Sequence, residues 1–247
     1  MLRDASRLAE HQRTALARLA VILDRCGGAI LADEPGLGKS FVAAALAAGE
    51  QRRGRAIELI VPASLIDQWR HTLREFGVDC SVISHDALIR DFSLPEARER
   101  LIIVDEAHSF RNPKTQRYAA LARRSVGARV LLVTATPVCN SARDLEALIR
   151  LFAADDAPRD FQVPSIDLAF QDGSAVVVAG VVTQLVVRRS RTVLPAALQF
   201  GDLDRRVIRF DPVPEPQAAP AGDEASPEPS GSDTLPASKT PEGDAVS

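Results

Sequence analysis

Two short stretches of this chain carry residue types at spacings that handle phosphate. Residues 31–40 read LADEPGLGKS and residues 101–108 read LIIVDEAH. In the first, Gly36 and Gly38 can adopt φ > 0 and, with Leu37 between them, bring backbone N–H groups up to phosphate oxygens. Lys39 would then reach the β and γ phosphates of a nucleoside triphosphate, and Ser40 would place its hydroxyl on Mg²⁺. In the second, Asp105 would hold Mg²⁺ through water and Glu106 would orient and deprotonate an attacking water. The strict G-x-x-x-x-G-K-[ST] pattern fails at its first position, where Asp33 stands. Composition strengthens the reading: of 30 basic residues only Lys39, Lys114 and Lys239 are lysine, and a compact ammonium suits phosphate as a point charge. Either stretch alone also fits a plainer account, a Gly-rich turn with a surface lysine or two solvated acids ending a strand. Together they point to a triphosphate with Mg²⁺.

The elements around both stretches are those such chemistry requires. Residues 28–32 form an apolar run and residues 41–49 an Ala-rich helical run, so the glycines fall on a strand-to-helix turn whose helix aims its positive end at the phosphates. Leu101–Val104 is a continuous apolar run suited to a strand buried on both faces. Its end puts Asp105 and Glu106 at the carboxyl edge of a parallel sheet, where ligands of open α/β sheets bind. Strands are expected near 28–32, 57–61, 80–84, 101–105 and 129–134, with helices near 10–25, 39–50, 64–76, 114–124 and 142–152. That rhythm is an α/β fold with a mostly parallel sheet flanked by helices. Propensity reads residues 174–187 as a strand.

Asp105-Glu106-Ala107-His108 is a DEAH box, and the chain resembles the first RecA-like lobe of superfamily 2 helicases, in particular the Swi/Snf-like DNA-dependent ATPases. Further residues carry the likeness. His11-Gln12 with Ala15, Leu16 and Leu19 is similar to the family's opening motif, which implies that Gln12 reads adenine and that the triphosphate is ATP. Pro62, Ser64 and Trp69 match the next motif. Ser84 and His85 depart from a usual Thr-Tyr, and Thr72 and Pro35 from a usual Glu and Met. Arg111-Asn112 matches a basic-Asn pair, and LLVTATPVCN (131–140) resembles the motif that couples ATP state to DNA grip, through Thr134, Thr136 and Asn140. His108 would link hydrolysis to the rest of the machine. Residues 186–195 resemble the exit from the first lobe, and the likeness implies a helix for 174–187.

By this reading residues 1–153 form the RecA-like P-loop NTPase lobe and 154–211 the exit segment with short appended elements, including a strand-like run at 204–212. Residues 212–247 hold eight of 16 prolines and seven acids against one Lys, a composition that cannot bury enough apolar surface to order itself. This acidic tail is expected to be disordered. The rest of the chain is only mildly basic, so double-stranded DNA as a partner rests on the resemblance. Most of the clustered arginines read as solvated helix faces.

Cys26, Cys80 and Cys139 are odd in number and scattered, and read as small buried hydrophobes in a reducing bacterial cytoplasm. His71 and His85 lack ligand spacing and read as helix-surface or loop residues. Neither a signal peptide nor a membrane-spanning run is read from the sequence. Family members close ATP between two lobes, the second giving an arginine finger that is worth about 10³–10⁵ in rate. No second lobe follows in these residues, and Arg188 and Arg189 resemble linker arginines. The expectation is an ATP·Mg²⁺-binding lobe, weak as a hydrolase alone, that needs a second RecA-like lobe in trans. The alternatives are a non-hydrolysing nucleotide-sensing adaptor and a fragment of a full-length helicase.

Overall fold

All strand pairings among the described residues are parallel, so each strand must be reached by a crossover, and helices fill the connections. A computed structural model describes residues 7–93, 99–135, 142–153, 166–171 and 175–190. The strands are β1 (Gly28–Leu31), β2 (Ala56–Val61), β3 (Cys80–Ser84), β4 (Arg100–Val104), β5 (Arg129–Val133) and β6 (Val186–Val187). They form one sheet in the order β3-β2-β4-β5-β1-β6. The helices are α1 (Glu10–Cys26), α2 (Lys39–Arg52), α3 (Ile66–Glu75), α4 (His85–Arg90), α5 (Gln116–Ser125), α6 (Ala142–Ile149), α7 (Ile166–Gln171) and α8 (Ala175–Leu185). This is the α/β sandwich expected of the sequence. All described residues fall in one unit, Met1–Gly201.

The core sits on both faces of β1, β4 and β5. Residues Ala29–Leu31, Leu101–Val104 and Val130–Leu132 are fully enclosed, which is why these strands are unbroken apolar runs rather than alternating ones. The α1 helix shows the complementary pattern: Ala15, Leu16, Leu19, Ala20, Ile22, Leu23 and Cys26 are buried, one stripe of a 3.6-residue period. It stops at Gly27, whose φ of 71° lets its N–H reach the Leu23 carbonyl.

Three expectations need revision. The helix anticipated at 64–76 begins as a 3-10 turn (Ala63–Leu65) and becomes α only at Ile66. The 174–187 stretch divides: its body is α8, with Val181 and Leu185 buried one turn apart, while Val186 and Val187 pair with Ile30 and Leu31 as β6. Burial against neighbouring elements overrides the β-propensity of the valines until the sheet edge offers them partners. The α4 helix was not anticipated, being six residues with a Ser84 cap. The strand-like run at 204–212 and the acidic tail lie outside the described residues.

The arginine clusters serve the interior more than the sequence indicates. Glu50 is fully buried and paired with Arg53 and Arg55 at 2.8 Å each. Glu58, in the middle of β2, is bonded by Arg124, which also reaches Asp91 at 3.1 Å, and Arg100 lies 4.0 Å away. Cys26 is buried and Cys80 partly so; Cys139 is outside the described residues. Among the described residues no group of His, Cys, Asp or Glu is placed to hold a metal by itself, and no helix is long and apolar enough to cross a membrane.

Candidate nucleotide site

The carboxyl ends of β1 and β4 bring the two chemical stretches to the same edge of the sheet. Gly36 and Gly38 have φ of 90° and 72°, the conformation anticipated for a phosphate loop. Gly38 is the N-cap of α2, which starts at Lys39 with no acid in its first turn, so its positive end is not offset locally. Lys39 donates to the carbonyls of Asp33 at 2.9 Å and Glu34 at 3.4 Å. Burial lowers its pKa, while the Asp33, Glu106 and Asp105 carboxylates each act to raise it. Lys39 thus lies within electrostatic reach of Asp105 and Glu106.

Gln12 closes the loop from above. Its Nε2 donates to the Leu37 carbonyl at 3.1 Å, and its Oε1 accepts the Ala9 N–H at 3.0 Å. A Cβ on Gly38 would lie 2.3 Å from Gln12 Nε2, a contact that this flexible side chain could relieve by moving aside, so it is the φ of 72° that favours glycine here. The residues fit a bound triphosphate and Mg²⁺: a loop with glycine at 36 and 38, a helix N-terminus, one ammonium, the half-buried Ser40 hydroxyl and the Asp105 carboxylate. Phe41 follows, 40% exposed, with its ring edge-on to Phe76 at 6.1 Å.

Asp105 is more closely held than its motif conveys. Its N–H donates to the Ile60 carbonyl at 2.9 Å, and Trp69 donates its indole N–H to Oδ2 at 2.6 Å. Burial raises the Asp105 pKa, and the Trp69 bond opposes that rise. Trp69 is 3% exposed; sequence reading matched it to a motif without giving it this task. His85 Nε2 lies 2.9 Å from the Asp105 carbonyl, and its ring meets Phe110 edge-on at 4.9 Å. The expectation of a surface or loop position holds for His71, whose side chain is 70% exposed beside Glu75, and fails for His85. Burial drives His85 down to about 4, which leaves a neutral ring whose N–H can donate to that carbonyl.

Glu106 has φ of 48°, the sole positive value among the described non-glycine residues. Its carbonyl accepts from Ser109 N–H at 3.0 Å, and its Oε2 lies 3.1 Å from His108 Nδ1. That nitrogen is 3.5 Å from Thr134 Oγ1, a long contact that nonetheless brings the end of β5 to the DEAH box. Thr136 and Asn140 lie outside the described residues. Asp33 is fully buried and gripped by Arg189.

Comparison with known proteins agrees with this geometry. The model of the SNF2-related domain matches residues 11–91 and 77–198. An uncharacterised ATP-dependent helicase, YqhH of Bacillus subtilis, is 36% identical over 148 residues, covering 51% of this chain and 26% of the relative. The DNA repair and recombination protein RAD54B of Gallus gallus is 30% identical over 184 residues, covering 59% and 20%. The solved Sulfolobus solfataricus SWI2/SNF2 ATPase core in complex with dsDNA superposes with a TM-score of 0.59 at 19% identity, covering 74% of this chain and 44% of that one. The RecA-like fold is thereby shared, and the chain spans about a quarter of YqhH and under half of the archaeal core. A family model that accounts for most of the chain, over a sheet whose carboxyl edge carries the phosphate loop and the DEAH box, places this chain in the SNF2-related domain family.

Proposed function

We propose that this chain is the ATP·Mg²⁺-binding lobe of a Swi/Snf-like DNA-dependent ATPase. The observation that carries the reading is the convergence of Lys39, Asp105 and Glu106 at the N-terminus of α2. Lys39 would take the triphosphate oxygens in place of the Asp33 and Glu34 carbonyls, and the N–H groups of Gly36, Leu37 and Gly38 would line the phosphates. Ser40 and Asp105 would hold Mg²⁺, which supplies charge neutralisation when bound. Glu106, held by its turn and by His108, would orient the attacking water and take its proton. Gln12 would read the adenine edge, and His108 with Thr134, Thr136 and Asn140 would pass the state of the site to duplex DNA.

Hydrolysis at a useful rate calls for a second RecA-like lobe carrying an arginine finger, in trans or further along the same polypeptide. Arg189 is committed to Asp33 and does not fill that role.

The test is a titration with a fluorescent ATP analogue and Mg²⁺, beside Lys39→Ala, with hydrolysis assayed with and without duplex DNA. Lys39-dependent binding with little turnover is expected, and addition of a second lobe should bring DNA-stimulated hydrolysis. Equal binding by wild type and Lys39→Ala would overturn the reading.

A further inference from the structure

Asp33 is the one departure from the strict G-x-x-x-x-G-K-[ST] pattern, and the structure gives it a partner. A fully buried carboxylate is strongly destabilising without a cation beside it. Arg189 supplies that cation as a two-pronged fork across 156 residues of sequence, Nε to Oδ1 at 3.1 Å and Nη2 to Oδ2. Two backbone bonds run alongside: Ala32 N–H donates to the Val187 carbonyl at 2.8 Å, and Glu34 N–H to the Arg189 carbonyl at 3.0 Å. Residues 187–189 are thus laced to residues 32–34 immediately before the glycines. Asp33 then works in two directions, since its side chain holds Arg189 while its carbonyl receives Lys39.

Among the described residues no second carboxylate pairs with Arg189. Its remaining nitrogen, Nη1, is buried with no hydrogen-bond partner among the described residues, so two nitrogens of the guanidinium rest on Asp33. Arg188, one residue earlier, is exposed. A bidentate Arg–carboxylate pair fixes orientation as well as distance, which a lone ammonium would not.

We propose that Arg189 is a positioning residue of the nucleotide site. With Asp33 as its counter-charge it clamps the exit segment to the phosphate loop and fixes the carbonyl on which Lys39 waits. The inference rests on reading this site as an ATP site. It deepens that reading by making the exit segment a wall of the site, so that nucleotide binding and ordering of residues 186–190 favour one another reciprocally. One consequence runs against the sequence pattern. Asp33→Gly restores the strict loop motif yet strands Arg189 in the interior, and weakens nucleotide binding.

The experiment compares wild type, Arg189→Gln, Asp33→Gly, the double variant Asp33→Asn/Arg189→Gln, and Arg188→Gln. Two readouts are taken: amide exchange at Ala32 and Glu34 without nucleotide, and affinity for a fluorescent ATP analogue with Mg²⁺. Arg189→Gln is expected to speed exchange at both amides about tenfold or more, with β4 amides unchanged, and to weaken the analogue about tenfold. The double variant, which replaces two buried charges by an amide pair, should fold even where Arg189→Gln does not and recover most of both losses. Arg188→Gln should move neither. Unchanged exchange at Ala32 and Glu34 in Arg189→Gln, or tighter binding by Asp33→Gly, would overturn the clamp. A loss of folding stability with unaltered affinity would also overturn it, reducing the pair to a structural one. If wild type binds no better than Lys39→Ala, the ATP reading fails by itself, and the exchange data still decide whether Arg189 clamps the loop.

Discussion

Replacing Trp69, the chain's one tryptophan, by Phe removes a single N–H from the nucleotide site and leaves an aromatic ring in place. The bond lost is short, 2.6 Å to Asp105 Oδ2, and hydrogen bonds to charged groups are worth about 1.5–3 kcal/mol. Two effects then oppose each other. Without its donor the carboxylate becomes more basic and attracts Mg²⁺ more strongly, but it also becomes free to rotate away from the metal. Loss of an outer partner usually costs a metal site about 10–100-fold in affinity, so orientation should win, and a loss of about tenfold is expected. The assay is titration of a fluorescent ATP analogue by wild type and Trp69→Phe, once with Mg²⁺ and once with EDTA. The Mg²⁺-dependent part of the affinity should fall while the EDTA curve stays. A second signature follows from the sign of the Asp105 shift. Its pKa is already raised by burial and held back by the Trp69 bond, so the variant should lose Mg²⁺-dependent binding at a higher pH than wild type as acid is added. Equal losses with and without Mg²⁺ would mean that Trp69 only packs, and the account of Asp105 would be refuted.

His85 ties pH to stability: its native pKa of about 4 lies below the ordinary 6.5, so the unfolded chain binds the extra proton. Stability should be full above pH 6.5 and decline by up to about 3 kcal/mol as pH falls towards 4; urea midpoints of wild type and His85→Gln at pH 7.5 and 5 check this, the variant losing less. Glu106 occupies a left-handed conformation that costs a non-glycine residue about 1 kcal/mol. Glu106→Gly should therefore melt higher than Glu106→Ala, with both lacking hydrolysis when a second lobe is supplied, and equal melting temperatures would count against strain at this residue. Arg124→Ala leaves Glu58 buried without its main partner and should cost about 3–5 kcal/mol, whereas Glu58→Gln/Arg124→Met should cost much less; chemical denaturation distinguishes them.

The sheet and the turn at Gly36 and Gly38 were legible because both write themselves locally. Five strands are continuous or nearly continuous apolar runs, and a turn that needs φ > 0 at Gly36 and Gly38 leaves little choice of residue. What escaped the sequence was of two kinds. Partners far apart in the chain, such as Asp33 with Arg189 or Trp69 with Asp105, leave no spacing to read, because only the folded sheet brings them together. Side chains whose environment reverses their usual habit were also missed. Arg100, Arg124 and His85 are polar types that composition assigns to the surface, and each is buried because a carboxylate or carbonyl waits inside. Asp33 stood out as an irregularity of the loop before it could be understood as half of a pair.

The position of β6 also bears on the order in which the molecule is made. β1 lies between β5 and β6, so its outer side stays open until residues 186–187 return to Ile30 and Leu31. During synthesis, strands β1 to β5 can assemble while the last edge of β1 is still unwritten. Contacts at such separation are the slowest to form. The ribosome thus delivers β1 well before the residues that flank its outer edge, and the loop that follows β1 is braced last, once Val187 and Arg189 have emerged.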